Sequence, residues 1–146
     1  MKQAIKAYID LFENLDIDRI NKMENFVEPN VTFIDPFNHL TDLNALKRLL
    51  SKTLSDVQNP KFKVLAAVQL TEFESQNTAT YCLKWHFSGH INKVGLWEVE
   101  GISEIKLSQS EKICWHKDYW DASEHFYMKI PLLGTLIRFI RRRLQA

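Results

Sequence analysis

Two residues apart on a β-strand, an imidazole and a carboxylate project from the same face. His116 and Asp118 have this spacing in the run Cys114-Trp115-His116-Lys117-Asp118-Tyr119-Trp120-Asp121, because successive strand side chains alternate between faces. Cys114 and Trp120 fall on their face, and Trp115, Lys117, Tyr119 and Asp121 on the other. Flanked by aromatics, the pair suits an acid/base couple lining a pocket. The spacing also suits a strand whose aromatics fill a core while Asp118 bonds nearby backbone in a buried structural network. A third acid, Asp35, stands just before Pro36. A carboxylate in an apolar pocket becomes a usable general base near neutrality, and imidazole titrates in that range. If Asp35, His116 and Asp118 converge, they can move a proton beside a carbonyl or activate a water. The structural alternative for Asp35 is bracing its own turn or capping the following helix.

Other chemistries find less support. His39, His86, His90 and His125 are scattered, so no metal site is expected, and no cofactor. A zinc site built from His86, His116 and an acid is conceivable but has no spacing to recommend it. No Ser-His-Asp signature or glycine-rich phosphate loop is present. Nucleic-acid binding needs a basic face interleaved with aromatics, and basic residues concentrate only in the tail. Cys82 and Cys114 lie in apolar strand-like segments and read as reduced thiols. The opening Met1-Lys2-Gln3-Ala4-Ile5-Lys6 lacks the apolar run of a secretory signal. A cytoplasmic location is therefore expected, with contact at the inner membrane face left open by the tail.

The elements that must position these residues can be read in order. The 146 residues, 45% hydrophobic and 25% charged, fit one ordinary globular domain over 1–146. Ile5, Tyr8, Ile9, Phe12 and Leu15 have helical spacing, predicting a helix over 3–14. Asp16 or Asp18 caps a second helix burying Ile20, Met23, Phe26 and Val27, stopped by Pro29-Asn30. Val31 to Ile34 reads as a short strand ended by Asp35-Pro36. Thr41-Asp42 opens a third helix with Leu46, Leu49, Leu50, Thr53 and Leu54 on one side, broken at Asn59-Pro60. Strands then follow at 62–70, 78–88, 94–107 and 112–121, joined by polar or glycine-containing turns at 71–77, 89–93 and 108–111. A last helical piece starts near Ala122, is interrupted at Pro131 and runs to the end. Helices first and an antiparallel meander afterwards indicate an α+β fold.

The strands are apolar on more than one face. Tyr81, Leu83, Trp85 and Phe87 form one face of the second long strand; Trp97, Val99, Ser103, Ile105 and Leu107 form one face of the third. The strand carrying His116 has aromatics on both sides. Such two-faced content predicts a partner on the outer sheet face, most simply a second copy of the chain.

This order of elements, with Phe33-Ile34-Asp35-Pro36-Phe37 and Trp115-His116-Lys117-Asp118-Tyr119-Trp120-Asp121, resembles the nuclear transport factor 2-like superfamily and, within it, the SnoaL-like group. The resemblance spans essentially the whole chain. It implies a cone-shaped α+β barrel, in which a curved, mainly antiparallel sheet wraps around helices and encloses a cavity. It also implies homodimers paired through the outer sheet face. The superfamily includes ketosteroid isomerases, scytalone dehydratases, epoxide hydrolases, polyketide cyclases and non-catalytic binders. Asp35 matches the position of the isomerase general base, and Asp118 matches a catalytic aspartate of the epoxide hydrolases. The isomerase oxyanion acid falls near Ser103, which is no acid, and the hydrolase Arg-x-Asp pair is absent from 78–88. The expected occupant is an apolar small molecule touching Tyr8, Phe33 and Trp120. It is either processed by isomerase, dehydratase or hydrolase chemistry, or simply held.

The tail is a separate signal. Five of the nineteen basic residues and none of the eighteen acidic ones follow Glu124, so that stretch carries +5 and residues 1–124 carry −4. Leu133, Leu136, Ile137, Ile140 and Leu144 form one helical stripe, with Arg138, Arg141 and Arg142 opposite. This pattern suits either a helix packed on the body or a partner, or an interfacial helix whose arginines meet anionic lipid.

Overall fold

The computed structural model describes residues 1–70, 79–92 and 94–145. Among these are five α-helices and six strands, in the order α1 (Gln3–Glu13), α2 (Ile17–Asn21), β1 (Val27–Ile34), β2 (His39–Leu40), α3 (Leu43–Asp56), β3 (Val57–Gln69), β4 (Thr80–Ile91), β5 (Gly95–Leu107), β6 (Ile113–Tyr119), α4 (Ala122–His125) and α5 (Leu133–Leu144). The strands form one sheet in the order β2-β1-β6-β5-β4-β3. Only the β1–β6 pair is parallel, as a return from the end of the meander to the first strand requires.

The curved, mainly antiparallel sheet wrapped on helices is the cone expected from the sequence, and it is not closed into a barrel. Its edges are the two-residue β2 and the long β3, and α1 and α3 occupy the concave side in place of a closing strand pair. The curvature has identifiable causes. Pairing slips between Gln58 and Lys61 and between Val64 and Ala66 in β3, between Val27 and Thr32 in β1, and at Cys114 in β6, between the partners of Lys106 and Leu107. Each irregularity bends its strand and increases the local twist.

Two expected stops turn out to be such irregularities. Pro29-Asn30 lies inside β1, and the helix it was expected to end closes earlier, at Asn21, followed by a 3-10 turn at Met23–Asn25. Asn59-Pro60 lies inside β3, with Asn59 in the left-handed region at φ 51°. A proline cannot donate to a ladder, but it is tolerated at a slip or on an edge strand, where no partner awaits its missing N–H. The expected turn at 71–77 and the start of the strand at Thr78 lie outside the described residues.

The core is the interface of helices and concave sheet. Ile5, Tyr8 and Leu11 of α1 are fully buried, as are Leu46 of α3, Val31 of β1, Ile105 and Leu107 of β5 and Ile113 of β6. α3 starts where Asp42 accepts a hydrogen bond from Ala45 N at 2.8 Å, satisfying a donor that the first helical turn leaves unpaired. The slip at the start of β6 puts Ile113, rather than Cys114, on the inner face with His116. Leu107 pairs with Ile113, and Lys106 with Trp115.

Candidate functional site

The inward face of β6 meets β5 so that Asp118 lies directly across from Ser103, and His116 across from Ile105. On the other side, β1 brings Phe33 beside His116, with ring centres 4.6 Å apart. α1 lowers Tyr8 and Phe12 onto the same imidazole, at 5.6 and 5.8 Å. This aromatic box leaves two openings for hydrogen bonds, one at each ring nitrogen. Nδ1 lies 2.7 Å from Tyr8 Oη, and Nε2 lies 2.7 Å from Asp118 Oδ1.

The chain of bonds continues beyond the carboxylate. Ser103 Oγ donates to the same Asp118 Oδ1 at 2.5 Å, and Trp85 Nε1 donates to Ser103 Oγ at 2.8 Å. Trp85 reaches Ser103 because the residue across from it on β5 is Gly101. A Cβ at Gly101 would stand 2.4 Å from Trp85 Cζ2, so only glycine lets the indole lie flat on the strand. The result is a line, Trp85–Ser103–Asp118–His116–Tyr8, crossing β4, β5, β6 and α1. Tyr8 and His116 are buried. Burial first, and the charge of Asp118 second, push the Tyr8 phenol well above its ordinary pKa, so it remains a proton donor. With neutral His116, Tyr8 then donates to Nδ1 and Nε2–H donates to Asp118, and every polar atom of the imidazole is satisfied.

A cavity of about 430 Å³ opens in front of this line. Its wall is mostly aromatic and aliphatic, with Phe12, Phe33, Phe62, Trp85, Trp97 and Trp120 prominent. Phe37, Trp97, Trp120 and Phe126 form a connected ring cluster, with centres 5.1 to 5.9 Å apart. Asp118 belongs to the wall, its side chain 16% exposed. Its Oδ1 is committed to Ser103 and His116; Oδ2 has no hydrogen-bond partner among the described residues.

The sequence-predicted residues separate into three groups. Asp35, Asp118, Phe33 and Trp120 all line the cavity. His116 and Tyr8 stand behind Asp118, outside the wall, and act on the cavity only through it. Asp35, although in the wall, is occupied with its own turn. Its Oδ1 accepts from Phe37 N at 2.7 Å and Asn38 N at 2.6 Å, and Asn38 Nδ2 spans both of its oxygens at 3.0 Å. This is the bracing of an Asx turn. His86 lies on the outer face, 3.0 Å from Glu98, and cannot share a metal with His116. Among the described residues no cluster of three potential metal ligands occurs. Lys52 and Asp56 pair at the cavity's α3 side. Ser103 and Trp85 were not singled out as site residues from sequence, although a serine and a glycine on an otherwise apolar strand face mark a place where something must fit or bond.

The arginines of the tail are also divided. Arg138 Nη1 donates to Met128 O at 3.2 Å, and Arg141 Nη1 lies 3.3 Å from Glu124 Oε2. Arg142 has no such partner among the described residues, and Arg143 stacks over Phe139 at 4.9 Å. No described helix is long and apolar enough to cross a membrane.

No protein-family model matches this sequence, and no curated protein matches it. Solved structures do match its fold. An NTF2-like protein of unknown function from Exiguobacterium sp. 255-15 superposes with a TM-score of 0.66 at 17% identity, covering 82% of this chain and 98% of its own. An LEH-like epoxide hydrolase from M. tuberculosis gives 0.62 at 13% identity, covering 96% and 94%. A SnoaL-like putative isomerase from Agrobacterium tumefaciens str. C58 gives 0.58 at 12% identity, covering 81% and 94%. At these identities the likeness concerns architecture alone. The chain has the nuclear transport factor 2-like fold, which it shares with epoxide hydrolase and SnoaL-like structures.

Proposed function

We propose that the protein holds a compact apolar small molecule in its cavity and that Asp118 exchanges a proton with it. The volume lies within the roughly 300–1,000 Å³ range of small-molecule sites. The observation that carries the reading is the state of Asp118. One oxygen is fixed by Ser103 and His116, and the other is unpartnered in an aromatic wall. A carboxylate held this way presents one basic oxygen in a set direction, and its bonding partners are already in place before reaction.

The chemistry this supports is proton transfer beside a carbonyl, as in isomerisation or dehydration, where one group takes a proton and returns it. Epoxide opening asks for more: an acid on the ring oxygen and a base on the water. Asp35 is the second acid in the wall, and its turn already uses it. His116 and Tyr8 are positioning residues. They fix the Asp118 carboxylate and absorb changes in its charge through the shared bonds.

A second reading keeps the ligand and drops the reaction. It is favoured by the predominantly apolar wall and by the full engagement of Asp35. Native mass spectrometry of gently purified protein separates both readings from an empty scaffold. A retained adduct of small-molecule mass, displaced when Trp120 is replaced by Ala, is expected. A bare protein mass under conditions that preserve non-covalent complexes, together with no adduct from added apolar ketones, would contradict both.

A further inference from the structure

The C-terminal helix stands almost free of the body. Of α5, only Gly134 is buried. A Cβ there would come within 2.2 Å of Met128 O, so the helix touches the preceding 3-10 turn (Tyr127–Lys129) by its one residue without a side chain. Arg138 and Arg141 tie the same side to Met128 and Glu124. Ile137 of the apolar stripe is half-buried, and the other apolar residues of the helix are left exposed. Leu136 is 55% and Ile140 47% exposed, and Leu133, Phe139 and Leu144 are exposed beside them. Leu132, at the entry to the helix, is also exposed and sits in the left-handed region at φ 68°.

Charge says what fits such a face. The segment after Glu124 carries +5 while the rest of the chain carries −4. Arg142 and Arg143 flank the stripe, and Arg143 runs along Phe139. A long cationic side chain can lie along apolar surface and lift its head to a polar layer. An apolar stripe bordered by cations is the pattern of a helix lying in the headgroup region of an anionic bilayer. The outer sheet face of a second copy fits less well, because its glutamates already have partners of their own: Glu100 pairs with Lys84, Glu104 with Lys106, and Glu98 bonds His86.

We infer that α5 is an interfacial helix that docks the protein on anionic lipid surfaces, with Leu133, Leu136, Phe139, Ile140 and Leu144 inserted and Arg142 and Arg143 at the headgroups. The geometry adds a consequence. Phe126, part of the cavity wall, immediately precedes the turn on which α5 rests, so docking holds that side of the cavity near the bilayer.

The test is co-sedimentation of the full chain with phosphatidylcholine vesicles, with and without phosphatidylglycerol, across a salt series. Binding to the anionic vesicles alone is expected, weakening as salt shortens the reach of the charges. Leu136→Glu with Ile140→Glu should abolish it and leave the melting temperature unchanged, since both positions are exposed. Arg142→Gln with Arg143→Gln should weaken it about twenty-five-fold, because each cation near an anionic surface is worth about fivefold. Equal pelleting with both vesicle types, or no pelleting, would overturn the inference. So would a wild-type dimer in sedimentation velocity that becomes a monomer in the Leu136→Glu/Ile140→Glu variant, which would make the stripe a contact between copies.

Discussion

His116 Nε2 lies 2.7 Å from Asp118 Oδ1, while Nδ1 of the same ring lies 2.7 Å from the buried Tyr8 hydroxyl. The imidazole thus bridges a phenol in the core to a carboxylate on the cavity wall and has no nitrogen left for a ligand. In the proposed function the proton-transfer role therefore falls to Asp118, with His116 holding its carboxylate.

Tyr8→Phe should keep the core volume but strip Nδ1 of its partner. A buried polar atom left unpaired costs about 1–3 kcal/mol, readable as a lower urea midpoint with an unchanged slope. If Asp118 depends on this chain of bonds, the pH profile of any turnover should shift in the same variant. A purely structural role would lower stability and leave the profile where it was.

Gly101→Ala should be disproportionately harmful for so small a change. The new methyl meets Trp85 Cζ2 at 2.4 Å, so the indole must move and release Ser103. Overpacking of this kind costs about 1–3 kcal/mol. Ser103→Ala, which removes the hydroxyl without the clash, should be milder in stability and should still alter the behaviour of Asp118. Equal stability of Gly101→Ala and wild type in thermal melts would show that the Trp85 placement is wrong.

Alkaline pH should destabilise the fold through Tyr8. Its folded-state pKa is raised above the ordinary 10.0 by burial and by Asp118. A raised pKa means that the folded state holds the proton more tightly. The stabilisation is therefore complete below about pH 10 and is lost as pH climbs from there toward the folded value. Tyr8→Phe should flatten this part of the stability–pH curve relative to wild type. The same alkaline loss in both proteins would point to another group.

Pairing of two copies is expected through the outer sheet face. Ile102 and Tyr119 are cross-strand partners there, and both are exposed in the single chain. Sedimentation velocity should show a dimer that Ile102→Lys with Tyr119→Lys converts to monomer. A wild-type monomer at all concentrations would end this expectation without touching the cavity.

Much of this architecture was legible because alternation and periodicity are local. The spacing of Ile5, Tyr8 and Phe12 located α1, and period-two alternation put His116 and Asp118 on one inner face. What escaped reading was long-range. Pro29 and Pro60 looked like stops because a proline's effect depends on whether a partner strand awaits its N–H, and that is a property of the assembled sheet. Asp35 and Asp118 looked alike as candidate bases. Only the folded turn shows that Phe37 and Asn38 saturate one while the other keeps an oxygen free. The Trp85–Ser103 bond depends on Gly101 lying across from Trp85, a register that residue spacing alone does not fix. The exposure of most of the α5 stripe followed from Gly134 as the point of contact rather than from the stripe itself.

Proton exchange at a carbon acid reads the role of Asp118 without knowledge of the natural ligand. An apolar cyclic ketone would be incubated with the protein in D₂O and followed by proton NMR for loss of the signal beside the carbonyl. Exchange faster than in buffer alone is expected, reduced to the buffer rate by Asp118→Asn and mostly retained by Asp35→Asn. Exchange unaffected by Asp118→Asn, or abolished by Asp35→Asn in a protein that remains folded, would contradict that role.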